Sequence, residues 1–524
     1  MAASGGRSAA RVAAGILVTR VLGYVRERAV AHYIGNGWAA DALSVGQRLA
    51  NTIRNLLSEG TLSASFIPVY AALNERDEKA GRALAGAMLG LLLLAASVLA
   101  LIGIAFAPAL TTIFGAGLTG EARALAVSLT RLFFPMSGFM IISAWCLGIL
   151  NTHRRFFLPY AAPAIWNVAG IAGLVVTATW LVSPSLSTSA LLTRLCMALA
   201  WGSMAGSVLP VAIQLPACWQ VLHGLPVRWS FRTEGVRDVL IAWGPVVLGA
   251  GVAQISGLID TLLGTLSGEG GASSLRYAQL VQVLPISLFG TSVAAVSLPD
   301  LSRDAQRTMP NEQLRVRIAL GFRRIVFFIL PSSVALVTLA PVIVGPLFQT
   351  GRFAAADTQL VGGVLAAYGI GLLGQSTVKL FASGFYAMRD TRTPVRIAIL
   401  SLIVSSLLSW FFIRRFGPAG VALGSSIGGT LNTVLHLYDL DKRIGTILQR
   451  VDWRTLGLVV VAALSAAGLA VGTDFLVPGL RPHPLARGIA VLGIFGVAYG
   501  ALTLAFRHPD AIRAWQSLRG SPDN

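Results

Sequence analysis

Long apolar runs recur along this chain at near-even intervals, separated by short polar connections. Fourteen can be drawn, at 12–33, 41–73, 84–113, 124–150, 156–183, 189–221, 236–267, 272–299, 318–348, 357–388, 394–414, 418–440, 455–475 and 485–506. Each is long enough for the ~20 residues that one helical crossing of a bilayer needs. Several are longer, which predicts tilt or extension past the bilayer. The expected fold is an all-α polytopic membrane protein of about 14 transmembrane helices. Two polar breaks divide the series. HGLPVRWSFRTEGVRD (223–238) follows the first six spans, and DKRIGTILQRVDWR (441–454) precedes the last pair. The predicted organisation is an N-terminal lobe (1–222), a C-terminal lobe (223–445), and a final pair with its tail (446–524). Two lobes that rock around a site between them are a common transporter plan.

Composition agrees with this reading and removes the main rivals. The 524 residues are 55% hydrophobic and only 12% charged, and mean hydropathy is +0.72. A soluble chain carries about twice that share of charge, so an ordinary soluble enzyme, a disordered chain and a fibrous repeat are excluded. The net charge of +19 comes almost wholly from arginine, the lysines being Lys79, Lys379 and Lys442. With the N-terminus placed in the cytoplasm, the connections on that side sum to about 26 basic residues and those opposite to about 6, the asymmetry expected of cytoplasmic loops. The heaviest cluster is 301–324, with Arg303, Arg307, Arg315, Arg317, Arg323 and Arg324. Both termini are therefore expected in the cytoplasm, and the basic charge serves anionic headgroups rather than nucleic acid. Arg20 interrupts the first apolar run and no small-residue cleavage site follows, so the N-terminus reads as a retained helix and not a signal peptide. Cys146, Cys196 and Cys218 form no C-x-x-C pair, and the six histidines are scattered. No metal site is expected.

Charge inside the spans carries the functional signal. The first holds Arg20, Arg26, Glu27 and Arg28; the second holds Asp41, Arg48, Arg54 and Glu59. An ionised group near the bilayer centre costs ~2.5–3.5 kcal/mol on insertion scales, so such groups face water, a partner helix or a ligand. At about 100° per residue, Ser44, Arg48, Asn51, Asn55 and Glu59 fall within about 80° of Asp41, a polar stripe on one side of the helix. Arg54 points roughly 140° away from Asp41 by the same geometry. Asp260 lies in the seventh span, Arg276 opens the eighth and Lys379 is in the tenth. A cavity rich in arginine suits an anionic substrate, because guanidinium forks match phosphate oxygens bidentately. No paired carboxylates, Ser/His constellation or phosphate loop is visible, so catalysis is not expected.

These residues also form a signature. TRVLGYVRE from Thr19 to Glu27, Ala40-Asp41-Ala42, RLANTIR from Arg48 to Arg54, Glu59-Gly60 and Phe66-Ile67-Pro68 together resemble the MurJ/MviN lipid II flippases, of the multidrug/oligosaccharidyl-lipid/polysaccharide exporter superfamily. The likeness continues through GILNT (Gly148 to Thr152), Phe157, Pro159, Ala162-Pro163 and Asn167, then Gly244-Pro245, Gln254-Ile255, Tyr277-Ala278 and Pro285. LFQTGRF (Leu347 to Phe353), Gly384-Phe385-Tyr386-Ala387 and Thr393-Pro394-Val395 extend it to about residue 445.

The resemblance implies two six-helix lobes around a central cavity, plus two C-terminal helices forming a lipid groove. It also implies translocation of undecaprenyl-pyrophosphate disaccharide-pentapeptide (lipid II) across the bacterial cytoplasmic membrane for cell wall synthesis. The substrate-binding set it implies is Arg20, Arg26, Asp41, Arg48 and Arg54, with Ser273 in span eight. Family members often have Lys where Arg48 stands and Ser where Thr19 stands. No cofactor is implied; coupling to membrane potential or to a monovalent cation is, with Asp260 as the ion candidate. Lipid II or a similar polyprenyl-pyrophosphate glycolipid is the expected partner, with the bilayer and the cell-wall synthesis machinery. One departure stands out. Where the family has Y-A-D-R-L and then a glutamate before the proline, this chain has YAQLVQVLP, placing Leu280 and Val283 at the charged positions. Arg276, four residues earlier and about 40° away on the same helical face, is the candidate to supply the missing cation. A span-eleven asparagine of the family's sodium site is matched by Ser409. The rival readings are an exporter of another polyprenyl-linked glycan or a drug, a non-transporting scaffold, and an enzyme acting on polyprenyl lipids.

Overall fold

A computed structural model describes residues 2–155, 157–181, 186–225, 227–290 and 310–518. It is helical throughout, with no strand among the described residues. The helices are α1 (Ala2–Tyr33), α2 (Trp38–Leu57), α3 (Glu59–Arg76), α4 (Glu78–Phe114), α5 (Gly120–Thr152), α6 (Phe157–Val176), α7 (Thr188–Leu222), α8 (Val236–Leu266) and α9 (Gly271–Pro285). They continue with α10 (Pro310–Thr338), α11 (Ala340–Phe348), α12 (Ala355–Ala387), α13 (Arg392–Phe416), α14 (Pro418–Ile444), α15 (Trp453–Leu476), α16 (Pro484–Ala505) and the short α17 (Pro509–Leu518). Single π-turns extend α6 over Thr177–Leu181 and α9 over Ile286–Gly290.

Eleven spans among the described residues are long and apolar enough to cross a membrane. The three further runs predicted from sequence coincide with α1, α9 and α14, which are helical but fall outside that set. The polarity of α1 and α14 and the short described length of α9 account for this. Residues 291–309, including Arg303 and Arg307 of the basic cluster, lie outside the described residues. The longest helix among the described residues, α4, has 37 residues, about 55 Å at 1.5 Å per residue, so it extends past a ~30 Å hydrocarbon layer.

The second predicted span, 41–73, is not one helix. It breaks at Ser58, whose backbone is extended (φ −108°, ψ −151°). The Thr61 hydroxyl donates to the carbonyls of Leu56, at 2.9 Å, and Ser58, at 3.0 Å. The Leu56 carbonyl thereby gains a donor at the break, while the Ser58 carbonyl also accepts the helical bond of α3 from the Leu62 N–H at 2.9 Å.

The chain divides into two compact units. The first comprises residues 1–273 with 350–353, and so includes α8; the second comprises 274–349 and 354–524. The core of the first unit joins Phe66 and Tyr70 of α3, Leu84 and Met88 of α4, Trp145 and Ile149 of α5, Cys218 and Leu222 of α7, and Val236 and Val239 of α8. Trp145 keeps its indole N–H satisfied by donating to the Ala85 carbonyl at 3.2 Å. α6 and α7 meet through small residues. A Cβ on Gly202 would lie 2.5 Å from the Ala169 carbonyl oxygen, and one on Gly206 would lie 2.7 Å from the Ala169 Cβ. Close backbone approach of this kind replaces the hydrophobic effect as the source of helix association in lipid.

The second unit uses the same device. A Cβ on Gly371 would lie 2.5 Å from the Ser426 Cα, and the Ser426 hydroxyl donates to the Ala367 carbonyl at 2.8 Å. α15 and α16 pack Ala466, Ala470, Val491 and Phe495 against Ala335 of α10, Val342 of α11 and Leu339 at the junction between them. The Arg323 guanidinium on α10 donates to Asp510 of α17 at 3.1 Å.

Candidate functional site

The site is built on the first two helices, where the intramembrane charges lie. Asp41 is 2% exposed. Its carboxylate accepts hydrogen bonds from the backbone N–H of Gly270 (2.7 Å), the N–H of Ser273 (2.8 Å) and the Ser273 hydroxyl (2.8 Å). Gly270 has φ +79°, a conformation that favours glycine. Asp41 therefore ties down the turn at the start of α9. The predicted pair Asp41 and Ser273 is brought together, with the carboxylate fully engaged by protein donors.

Arg48 lies on the same face. Its Nε donates to the Gly257 carbonyl of α8 at 2.9 Å. A Cβ on Gly257 would sit 2.0 Å from Nη2, so the glycine makes room for the guanidinium. Two turns further along the stripe, the Asn55 amide donates to Gln254 of α8 at 3.3 Å. The stripe thus faces a partner helix, one of the three environments that intramembrane polarity allows.

Arg54 faces elsewhere, as its angular offset predicts. It contacts the Met140 sulfur at 3.2 Å and the Asn55 side-chain oxygen at 3.4 Å. It also lines a cavity of about 710 Å³ inside the first unit, with Thr19, Ser143, Trp166, Asn167 and Ser207 among its walls. Ser58 and Gly60, at the break between α2 and α3, line it too. Irregular backbone at membrane depth is tolerated where it borders such a cavity.

On α1, Arg20 is exposed. Arg26 is half-buried, pairs with Glu27 at 2.7 Å and lies over the Trp166 ring at 4.2 Å. Its Nε and Nη1 are buried without hydrogen-bond partners. The side chain of Glu59 lies outside the described residues. In the second unit, the Arg276 guanidinium lies over the buried Tyr277 ring at 4.5 Å, and Leu280 is half-buried. Asp260, on α8, is half-buried. Ser409 donates to the Val421 carbonyl at 3.0 Å. Among the described residues no group of His, Cys, Asp and Glu is disposed to hold a metal ion.

Two features of the site escaped prediction as site residues. Asn167 was part of the resemblance only, and Trp166 carried no signal beyond being an aromatic in an apolar run. Both sit on α6, and the proline-rich start of that helix, Pro159 and Pro163, also lines the cavity.

Comparison with known proteins supplies the family. The model of the "Lipid II flippase MurJ" family matches residues 30–481. The chain belongs to this family. A lipid II flippase MurJ of Burkholderia cenocepacia is 35% identical over 498 residues, covering 93% of each chain. A "Probable lipid II flippase MurJ" of Rhizobium meliloti is 30% identical, covering 93% of this chain and 91% of the relative. Among solved structures, "Lipid II flippase MurJ, inward closed conformation" matches with a TM-score of 0.77 at 22% identity, covering 95% of this chain and 98% of the other. A multidrug resistance MATE transporter of the MOP superfamily, in its inward-facing conformation, matches with a TM-score of 0.68 at 17% identity, covering 82% and 96%. These structural likenesses establish the flippase and exporter fold. Family membership and the eleven apolar spans together make this a multi-pass bacterial membrane protein of the transporter class.

Proposed function

We propose that this protein moves lipid II, the undecaprenyl-pyrophosphate disaccharide-pentapeptide, from the inner to the outer leaflet of the cytoplasmic membrane by alternating access. The observation that carries this reading is the match to a lipid II flippase family across residues 30–481. Arginine in the first two spans supports it on chemical grounds. Arg20, Arg26, Arg48 and Arg54 supply guanidinium groups suited to a pyrophosphate, and Arg276 contributes the span-eight cation that Leu280 no longer provides. Asp41 and Ser273 serve the site by holding the start of α9 in place, rather than by touching substrate. Asp260 is the acid through which a monovalent cation or the membrane potential drives the cycle. In this reading both termini are cytoplasmic, which the arginine asymmetry of the connections supports.

The experiment is complementation. A bacterium depleted of its own lipid II flippase is supplied with this chain, and growth is followed. Sustained growth and normal shape support the proposal. Membrane accumulation of the chain without rescue would favour export of a different glycolipid or drug.

A further inference from the structure

We propose that Gln279 and Gln282 are positioning residues for transport: through neutral amide hydrogen bonds they fix the rotation of α9 about its own axis, and with it the direction of Arg276. This rests on the reading above, in which Arg276 supplies the span-eight cation.

The Gln279 amide donates to the Tyr368 hydroxyl at 2.9 Å, and the Gln282 amide donates to the Gln375 side-chain oxygen at 3.0 Å. Both acceptors stand on α12, and Gln282 and Tyr368 are buried. α14 makes room for the second pair, since a Cβ on Gly429 would lie 2.6 Å from the Gln375 Cγ. All these residues belong to the second compact unit.

Helical geometry turns the two bonds into a rotational setting. With Arg276 at zero and about 100° per residue, Gln279 lies at about −60° and Gln282 at about −120°, whereas Leu280 lies at about +40° and Val283 at about −20°. The side of Gln282 is buried and the other side is open: Val283 is 52% exposed, and Arg276 and Leu280 are half-buried. Arg276, Leu280 and Val283 therefore share one face, turned away from α12 by the two amides. A turn of α9 breaks both bonds and leaves amide groups unpaired in an apolar surrounding. Neutral amides supply this direction without the desolvation cost of a buried ion pair. Beyond Gln282 the regular helix ends at Pro285 and passes into the π-turn Ile286–Gly290, a winding frequent at functional sites. The amides thus clamp the regular part of α9 just ahead of that change.

The test uses the full chain with a nitroxide on Val283→Cys, the native cysteines being buried. The label is read in lipid nanodiscs, and outer-leaflet lipid II is read in cells depleted of their own flippase. Gln282→Leu should shift the label's accessibility to a water-soluble relaxant and lower exposed lipid II about threefold, and Gln279→Leu added to it should lower exposed lipid II about tenfold, the range of one and two interhelical hydrogen bonds. Gln375→Leu added to Gln282→Leu should restore both readouts in part, because an apolar pair leaves no buried amide unpaired. Gly429→Ala, which displaces Gln375 from the side of α14, should shift the label as Gln282→Leu does. The proposal is overturned if stable variants leave the label unmoved, or if the label moves while transport holds. Should the glutamine variants fail to fold, Gly429→Ala decides alone. A wild-type chain that exposes no lipid II overturns the lipid II reading, and the label then decides by itself whether the amides set α9.

Discussion

Arg48 and Arg54 stand on one helix yet meet different surroundings, and this difference organises the residue scale. Arg48 is held against Gly257, so Gly257→Ala should displace the guanidinium while the flexible side chain lets the protein fold. Transport should fall at unchanged membrane abundance, and the loss should be smaller in an Arg48→Lys background, where the head is more compact. Equal losses in both backgrounds, read by complementation, would contradict this. Asp41 behaves differently. Removing its carboxylate leaves the backbone N–H groups of Gly270 and Ser273 unpaired, while the Ser273 hydroxyl keeps the Asn36 side-chain oxygen at 2.7 Å, at roughly 1–3 kcal/mol for each unpaired buried group. Asp41→Ala should therefore lower thermal stability and membrane abundance together, while Ser273→Ala, losing one hydroxyl, should have a milder effect; quantitative blotting and thermal unfolding in detergent check both. Arg276→Ala should abolish rescue, and Leu280→Arg added to it should restore growth. Normal growth of the single variant would show that span eight needs no cation. The sequence made the stripe, and the opposite bearing of Arg54, legible through helical periodicity alone. The partners of the stripe lie 199 to 232 residues away in the chain, and no local pattern reports such a pairing.

At the scale of elements, apolar runs read as helices because length and hydropathy suffice in a membrane, where every backbone group must be paired internally. The break at Ser58 was not legible, since neighbouring residues continue the apolar run and only the structure shows the Thr61 hydroxyl donating to the Leu56 carbonyl. The junction of α12, α13 and α14 shows a different kind of control. Asp390 accepts from the Thr393 hydroxyl at 2.6 Å and N–H at 3.0 Å, and from Arg443 at 2.7 Å. The Thr393 hydrogen bonds, then the Arg443 guanidinium, hold its carboxyl well below the usual carboxylate range. A depressed folded-state value means that the stabilisation is fully present above the unfolded value and is lost as pH falls through the folded one. The stability difference between the wild type and Asp390→Asn should accordingly be constant from pH 8 to about 5 and shrink only below about 4, the ordinary carboxylate value. Thermal unfolding across that range is the measurement. A difference that instead changes between pH 6 and 8 would assign the effect to another group.

For the whole molecule, membrane class, helical fold and family were legible because composition and the block from Thr19 to Pro68 are sufficient for them. The cavity beside Arg54 was not, because its walls come from α1, α2, α5, α6 and α7, and a lone Asn167 in an apolar run carries no sign of what it faces. The lipid II reading joins the family to that chemistry, and it requires that lipid II cross the membrane because of this chain. The direct measurement is lipid II exposed at the outer leaflet, assayed by its susceptibility to an externally added lipid II-cleaving toxin, in cells depleted of their own flippase. Cells carrying the wild-type chain should expose lipid II at the level of undepleted cells, and cells carrying Arg54→Ala at equal abundance should not. Lipid II that stays protected with the wild-type chain present in the membrane would contradict the proposed function.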